Sequence, residues 1–167
     1  MATLSASGKL RVRPPSNHYY RIRNRMSGLV LQAYVGENPA GKPIVSSKQD
    51  KELDVNVDSQ LWYLEDAGDG GYYYIVSKLN GLYMDVDGVR YAEGTPLIQW
   101  SKNSPPVATA NQKWKIELKD GFVVSQLNGQ VIELDPEKKT AFMSRRKEKK
   151  LSANQQWDFE LWEEDAV

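Results

Sequence analysis

A Gln-x-Trp tripeptide occurs three times in the chain, and this repetition constrains the fold more than any other feature. The copies begin at Gln60, Gln112 and Gln155, at intervals of 52 and 43 residues. Each copy leads into a short run of alternating apolar residues that ends in acids. Periods of this size are typical of internal structural repeats.

A second series of residues recurs at nearly the same spacing. Turn glycines with similar flanking residues recur at Gly28, Gly81 and Gly129, at intervals of 53 and 48 residues. Two independent series in phase indicate a threefold internal repeat. Residues i and i+2 of a strand point to the same face, so each Gln lies beside its Trp. The Trp can bury a large apolar surface while the Gln amide holds nearby loop backbone. The tripeptide therefore predicts a role in stabilising the fold.

The repeats predict one all-β domain. No segment shows a sustained helical period with caps, and short β-rich runs alternate with turn residues. Residues 1–18 read as a flexible N-terminal arm, and residues 19–167 as a single domain with repeats at about 19–66, 71–120 and 121–165. Three four-stranded units favour a closed architecture, because closure removes exposed strand edges.

The tripeptides, the hairpin glycines and the repeat length resemble the ricin B-type β-trefoil over about residues 19–162. The resemblance implies a β-trefoil of three four-stranded repeats, with pseudo-threefold symmetry and a hairpin cap on a barrel. β-Trefoils also include protease inhibitors and growth factors, so the fold alone does not assign a function.

The strand after the second turn glycine, Gly81, contains an Asp at a position where the other repeats have a different residue. Met84 and Val86 share the apolar face, so Asp85 is expected to point away from the core. Gln32 and Glu133 stand at the equivalent positions. Gly88 permits a tight turn beside the Asp85 carboxylate.

Three further residues complete a set of side chains suited to a sugar. Trp100 follows 15 residues after Asp85, and Asn111 and Gln112 precede the second-repeat Trp. A carboxylate accepts paired hydroxyls, an amide donates and accepts, and an indole packs against the C–H face of a pyranose. The resembled lectins use this set, which implies a carbohydrate site at Asp85, Gly88, Trp100, Asn111 and Gln112. An insert at residues 104–107 departs from the pattern.

The other two repeats are weaker candidates. The first repeat has Gln32, has Ser47 near the aromatic position, and has Ser59 in place of Asn. The third repeat keeps an Asn-Gln pair but has the longer Glu133, and Phe142 is its only candidate for a stacking ring. The alternative for the second repeat is an ordinary acidic turn at Asp85 with Trp100 covering the barrel rim.

Charge and composition argue against several other functions. Acids and bases balance at 22 each, which favours neither nucleic acid nor an anionic membrane as partner. Cysteine is absent and His18 is the single histidine, so nucleophilic catalysis and a zinc site lack residues. The start of a calcium loop at Asp85 lacks the later ligands. The basic run at 145–150 reads as a solvated loop. We expect no enzyme activity, no metal and no cofactor.

The sequence therefore predicts a lectin for galactose- or N-acetylgalactosamine-type glycans, acting mainly through the second repeat. Its partners would be glycoproteins or glycolipids, without nucleic acid or membrane insertion, and it could form a homodimer. The absence of cysteine and of an apolar leader predicts a cytoplasmic protein resembling small intracellular fungal lectins. The alternatives are a protease inhibitor using residues 104–109 or 48–58, and an interaction module that binds no sugar.

Overall fold

The computed structural model of the protein describes residues 14–49, 57–148 and 151–162. These ranges contain no α-helix, and hence none that could cross a membrane. Their twelve strands are β1 (Tyr19–Asn24), β2 (Val30–Gln32), β3 (Val45–Ser47), β4 (Trp62–Asp66), β5 (Tyr73–Ser77), β6 (Tyr83–Val86), β7 (Leu97–Trp100), β8 (Trp114–Glu117), β9 (Phe122–Ser125), β10 (Val131–Leu134), β11 (Ala141–Ser144) and β12 (Trp157–Trp162). The all-β prediction is confirmed.

Six strands form a barrel wall, and the other six form three hairpins. The wall runs β12-β1-β4-β5-β8-β9 in antiparallel pairs. The Trp157 N–H donates to Gly121 O at 2.8 Å, which brings β12 beside the start of β9. The hairpins are β2–β3, β6–β7 and β10–β11. This arrangement is the predicted β-trefoil, with one wall pair and one hairpin supplied for each repeat.

The three hairpins contact one another through single bridges between neighbouring repeats. Those bridges join Pro43 to Ile98, Val45 to Thr140, and Pro96 to Phe142. The strand registers make Val45, Ile98 and Phe142 equivalent, because they pair with Gln32, Asp85 and Glu133 respectively. The cap is therefore a ring of three related hairpins.

The Gln-x-Trp tripeptides fill the barrel in the same way in each repeat. Trp62 and Trp114 have no exposed surface and Trp157 is 1% exposed. Each indole Nε1 donates to a buried carbonyl of its own hairpin, at 3.1 Å to Leu31, 3.2 Å to Met84 and 3.0 Å to Ile132. These matching bonds confirm that the three rings are buried at equivalent positions.

The glutamines tie down loop backbone, as predicted. Each Gln Nε2 donates to the carbonyl of the residue after a cap strand, at 2.8 Å to Lys48, 2.9 Å to Ser101 and 2.7 Å to Arg145. Short 3-10 turns at Val57–Gln60, Ala110–Gln112 and Ala153–Gln155 aim these side chains. The side chain of each tripeptide Gln thus connects a barrel strand to its own hairpin.

Two local features differ from a simple sequence interpretation. The Asn80-Gly81 turn is wider than a two-residue hairpin loop, because Gly81 at φ +72° donates to Ser77 O at 2.9 Å and Ser77 N–H donates to Leu82 O.

Residues 14–18 of the predicted arm are held in place. Tyr73 and Tyr20 hydroxyls donate to Pro14 O and Pro15 O at 2.6 and 2.7 Å. Residues 1–13 of that arm lie outside the described ranges.

Candidate functional site

An open cavity of about 240 Å³ lies on the outer side of the second hairpin. It is lined by Asp85, Asp87, Gly88, Val89, Ile98, Trp100, Asn103 and Asn111. Four of the five predicted site residues therefore meet at one surface. The fifth, Gln112, lies behind the cavity and contacts Asp85.

The hairpin register explains why Asp85 and Trp100 meet. Asp85 pairs with Ile98 and Tyr83 pairs with Trp100. Opposed residues of an antiparallel pair share a face, so all four side chains lie on one side of the sheet. Met84 and Val86 face the core with no exposed surface. The prediction that Asp85 points away from the core is consistent with this register.

Asp85 is nevertheless buried, at 3% exposure, which the strand alternation did not indicate. The turn before β8 covers it. Asn111 Nδ2 donates to Asp85 Oδ1 at 3.1 Å, and Gln112 Nε2 donates to Asp85 Oδ2 at 2.8 Å. The carboxylate is therefore fixed by two amides at the floor of the cavity, and its removal would leave both amide donors without that acceptor.

The Asn111 amide has capacity left for a ligand. Its Oδ1 is buried and accepts no hydrogen bond from any residue in the described ranges. A buried acceptor without a donor is costly, and a hydroxyl group entering the cavity would satisfy it. Asn111 Oδ1 and the Asp85 carboxylate thus form a pair of acceptors.

Trp100 forms an exposed wall beside these acceptors, with 42% of its surface accessible. Its ring lies against the backbone of the first repeat, because a β-carbon at Gly41 would lie 3.5 Å from Trp100 Cζ3. Gly41 N–H also donates to Gln99 O at 2.7 Å. The first-repeat loop therefore supports the ring, a contact that no motif predicted.

Two other lining residues frame the turns around the cavity. Gly88 adopts φ +64°, and a β-carbon there would lie 3.0 Å from Arg90 Nε, so glycine suits the turn beside Asp85. Asn103 was not predicted. Its N–H donates to Gln112 Oε1 at 2.9 Å and its Nδ2 donates to Ala108 O, which anchors the 104–107 insert at the rim. Asn103 belongs to no motif, so only the fold reveals it.

Burial dominates the electrostatics of Asp85. Desolvation raises the pKa of the Asp85 carboxyl to about 6, against the hydrogen bonds from Gln112 and Asn111, which lower it. The nearby Asp87 carboxylate adds a smaller upward shift. The charge state of Asp85 therefore changes in the mildly acidic range.

The third repeat has the same framework, but its carboxylate is paired internally. Gln155 Nε2 donates to Glu133 Oε1 at 2.8 Å, as Gln112 does to Asp85. The longer Glu133 also forms an ion pair with Lys147, whose Nζ lies 3.3 Å from Oε1. Ser144, rather than Phe142, stands opposite Val131 at the position of Trp100. The expectation that Phe142 could be the stacking ring of this site is therefore wrong, because Phe142 lies two residues before the position equivalent to Trp100.

The first repeat lacks both a carboxylate and a ring at these positions. Gln60 Nε2 donates to Gln32 Oε1 at 3.2 Å, and Ser47 stands opposite Val30 at the Trp100 position. Amide-to-amide contact replaces the amide-to-carboxylate contact of the other repeats. The assignments of Gln32, Ser47 and Ser59 follow the predicted equivalence.

The second-repeat cavity is suited to a small ring with adjacent hydroxyl groups. Two adjacent hydroxyls can donate to Asp85 and Asn111 while an apolar ring face packs on Trp100. Within the described ranges, no group of three or more His, Cys, Asp or Glu side chains is placed to hold a metal ion. Residues of the second repeat therefore supply both the hydrogen-bonding groups and the stacking ring of this site.

The sequence and the fold resemble those of known proteins. A family model described as ricin-type β-trefoil lectin domain-like matches residues 9–100. None of the curated proteins compared with the chain matches it.

Solved structures support the same likeness. ThreeFoil, a designed threefold-symmetric protein, is 26% identical over 85% of this chain and 97% of its own, with a TM-score of 0.70. The exo-β-1,3-galactanase of Clostridium thermocellum is 28% identical over 89% of this chain, which spans 31% of the galactanase, with a TM-score of 0.70. The C-half of an earthworm R-type lectin, solved with GalNAc, is 22% identical over 87% of this chain and 99% of its own, with a TM-score of 0.62.

Proposed function

Because the chain belongs to the ricin-type β-trefoil lectin domain-like family, we propose that it is a lectin for galactose- or N-acetylgalactosamine-type glycans, binding mainly through the second repeat. Asp85 and Asn111 accept hydrogen bonds from two adjacent sugar hydroxyls. Trp100 packs against the C–H face of the pyranose, and Gln112 holds Asp85 in place. Gly88 keeps the turn beside the carboxylate open.

One observation carries this proposal: the buried Asn111 Oδ1 lacks a donor in the described ranges, beside a buried carboxylate and an exposed indole. Most buried acceptors in folded proteins are satisfied, and this one belongs to a residue that lines a cavity. The acceptors and the ring border the same cavity, so a polyhydroxylated ring meets all three at once.

The differences among repeats support a single strong site of this type. The second repeat combines a short carboxylate, an amide and a ring. Glu133 of the third repeat is already paired with Lys147, and the first repeat has Gln32 in place of an acid. A ligand would have to displace Lys147 to reach Glu133, whereas Asp85 borders an open cavity.

A glycan array is the direct test of this function. We expect the protein to retain glycans with terminal galactose or N-acetylgalactosamine and to release them when free sugar is added. Inhibition of a serine or cysteine protease, with no array binding, would instead support an inhibitor acting through the exposed 104–109 loop. Absence of both glycan binding and protease inhibition would support an interaction module and contradict the lectin proposal.

Sugar binding should weaken as the pH falls through about 6, because protonated Asp85 loses an acceptor. The free energy of unfolding should change in the opposite direction and rise as the pH falls. The folded-state pKa of Asp85 lies above the unfolded value of 3.8, so acidification from pH 7 to 4 relieves a cost of about 2 kcal/mol from this group. Calorimetric titration and urea unfolding over this range measure both effects. Affinity that stays constant to pH 5 would contradict an ionised Asp85 in the site.

A further inference from the structure

A second, larger cavity of about 370 Å³ lies where the three hairpins of the cap meet. Its size falls within the range of about 300–1,000 Å³ usual for small-molecule sites. All three repeats contribute to its lining, which includes Pro43, Pro96, Asp135, Lys138, Thr140 and Phe142. The second-repeat site described above shares none of these residues.

Backbone hydrogen bonds fix the walls of this junction cavity. Gly94 N–H donates to Met143 O at 2.7 Å, and Met143 N–H donates to Thr95 O at 2.9 Å, which joins the second hairpin to the third. Ser46 N–H donates to Lys139 O at 2.7 Å and joins the first hairpin to the turn before β11. The cavity is therefore preformed rather than a gap between loosely packed loops.

Phe142 gives this junction an aromatic wall. The equivalent residues are Val45 and Ile98, so only the third repeat has a ring at this position. Phe142 is half-buried and bridges to Pro96, and with Pro43 it lines an apolar surface. Such a surface can pack against the C–H face of a sugar, as Trp100 can in the second repeat.

Asp135 gives the junction cavity a fixed acceptor. Its Oδ1 accepts the N–H groups of Glu137 and Lys138 at 2.9 and 3.0 Å, while its Oδ2 accepts no hydrogen bond from the residues that the structure describes. The backbone bond from Lys138, then that from Glu137, lowers the pKa of Asp135. The carboxylate is therefore ionised and held in place in a cavity that Thr140 also lines.

We propose that this junction cavity binds a second sugar ring, which stacks on Phe142 and donates a hydroxyl hydrogen bond to Asp135. Thr140 and Lys138 complete the polar contacts, and Pro43 and Pro96 close the apolar side. A third-repeat site built like the second-repeat site would use the Glu133 carboxylate, but Lys147 already pairs with it. The third repeat would therefore bind sugar in the junction cavity instead. The chain would carry two sites of different construction.

The test uses the Asp85→Asn variant, in which the second-repeat site should bind sugar at least tenfold more weakly. We would titrate the ¹⁵N-labelled protein with the methyl glycosides of galactose, N-acetylgalactosamine, glucose and mannose, up to about 100 mM. We expect at least one glycoside to shift the amide signals of Gly94, Thr140 and Phe142 saturably. Absence of such shifts with all four glycosides would overturn the proposal.

Two substitutions assign the binding to its residues. Phe142→Ile, which copies Ile98 of the second repeat, should weaken the affinity about fivefold through lost stacking. Asp135→Asn should abolish saturable shifts while keeping an oxygen for the turn. Unchanged affinity in both variants would also overturn the proposal. Signals from Asn111 and the Trp100 indole in the wild-type protein report the second-repeat site separately, so failure at one site is distinguishable from failure at the other.

Discussion

Replacing Asp85 with asparagine is expected to abolish detectable glycan binding while the protein stays folded. A single sugar unit binds at about 1 mM, which corresponds to about −4 kcal/mol. Loss of a hydrogen bond to a charged acceptor costs about 1.5–3 kcal/mol, so the dissociation constant should rise at least tenfold. Isothermal titration calorimetry with galactose and N-acetylgalactosamine measures the change.

Asparagine is a better test than alanine because Asp85 is buried under two amides. Alanine would leave Asn111 Nδ2 and Gln112 Nε2 without their acceptor, at a cost of about 1–3 kcal/mol each. Such a variant could lose binding by unfolding. Asparagine keeps the shape and one accepting oxygen, so only one of the two amide donors loses its acceptor and the fold is disturbed less.

Glu133→Gln is the matched control. It makes the same carboxylate-to-amide change at the equivalent position, where Gln155 donates the equivalent hydrogen bond at 2.8 Å. Lys147 loses its partner but is 47% exposed and can be solvated by water. We expect wild-type affinity in this control. Equal loss in both variants, or no loss in Asp85→Asn, would contradict a site at the second repeat.

Replacing Trp114 with alanine is expected to bring the domain close to unfolding. Burial of the ring is complete, and substitutions of this kind cost about 3–5 kcal/mol. The Met84 carbonyl, which accepts from Trp114 Nε1 at 3.2 Å, would lose its donor at a further cost of about 1–3 kcal/mol. The total approaches the whole stability of a typical domain, about 5–15 kcal/mol. Urea unfolding followed by circular dichroism measures the loss.

Trp100→Ala makes the same substitution outside the core. Because Trp100 is 42% exposed, its removal should cost much less stability and should instead weaken sugar binding through lost stacking. A Trp114→Ala variant as stable as Trp100→Ala would contradict a structural role for the repeated tripeptides. We expect Trp62 and Trp157 to behave like Trp114, because their hydrogen bonds are equivalent.

Two sites on one chain would change how the protein engages cell surfaces. A monomer with one site cannot link two glycans, whereas a monomer with sites at Asp85 and Phe142 can. Simultaneous engagement raises apparent affinity without new contacts, provided that the glycans can reach both cavities. Both sites are built from side chains of the hairpins and of the turns beside them, so barrel packing need not change for either to bind.

The tripeptides and the turn glycines predicted three β-rich repeats, and the resemblance to the ricin B-type family implied the β-trefoil. In each repeat the tripeptide Trp starts a strand and is buried, while the Gln anchors backbone from the 3-10 turn before that strand rather than from the strand itself. The strand alternation around Asp85 likewise predicted that its side chain points away from the apolar face. These features follow from local periodicity, and local periodicity is present in the order of the residues.

Contacts between distant segments were decided only by the tertiary structure. The burial of Asp85 depends on a turn 26 residues later in the chain, and the support of Trp100 depends on Gly41 of another repeat. The pairing of Lys147 with Glu133 and the junction cavity around Phe142 are of the same kind. Alternation predicts the face on which a side chain lies, but its solvent exposure depends on which remote segment packs over it.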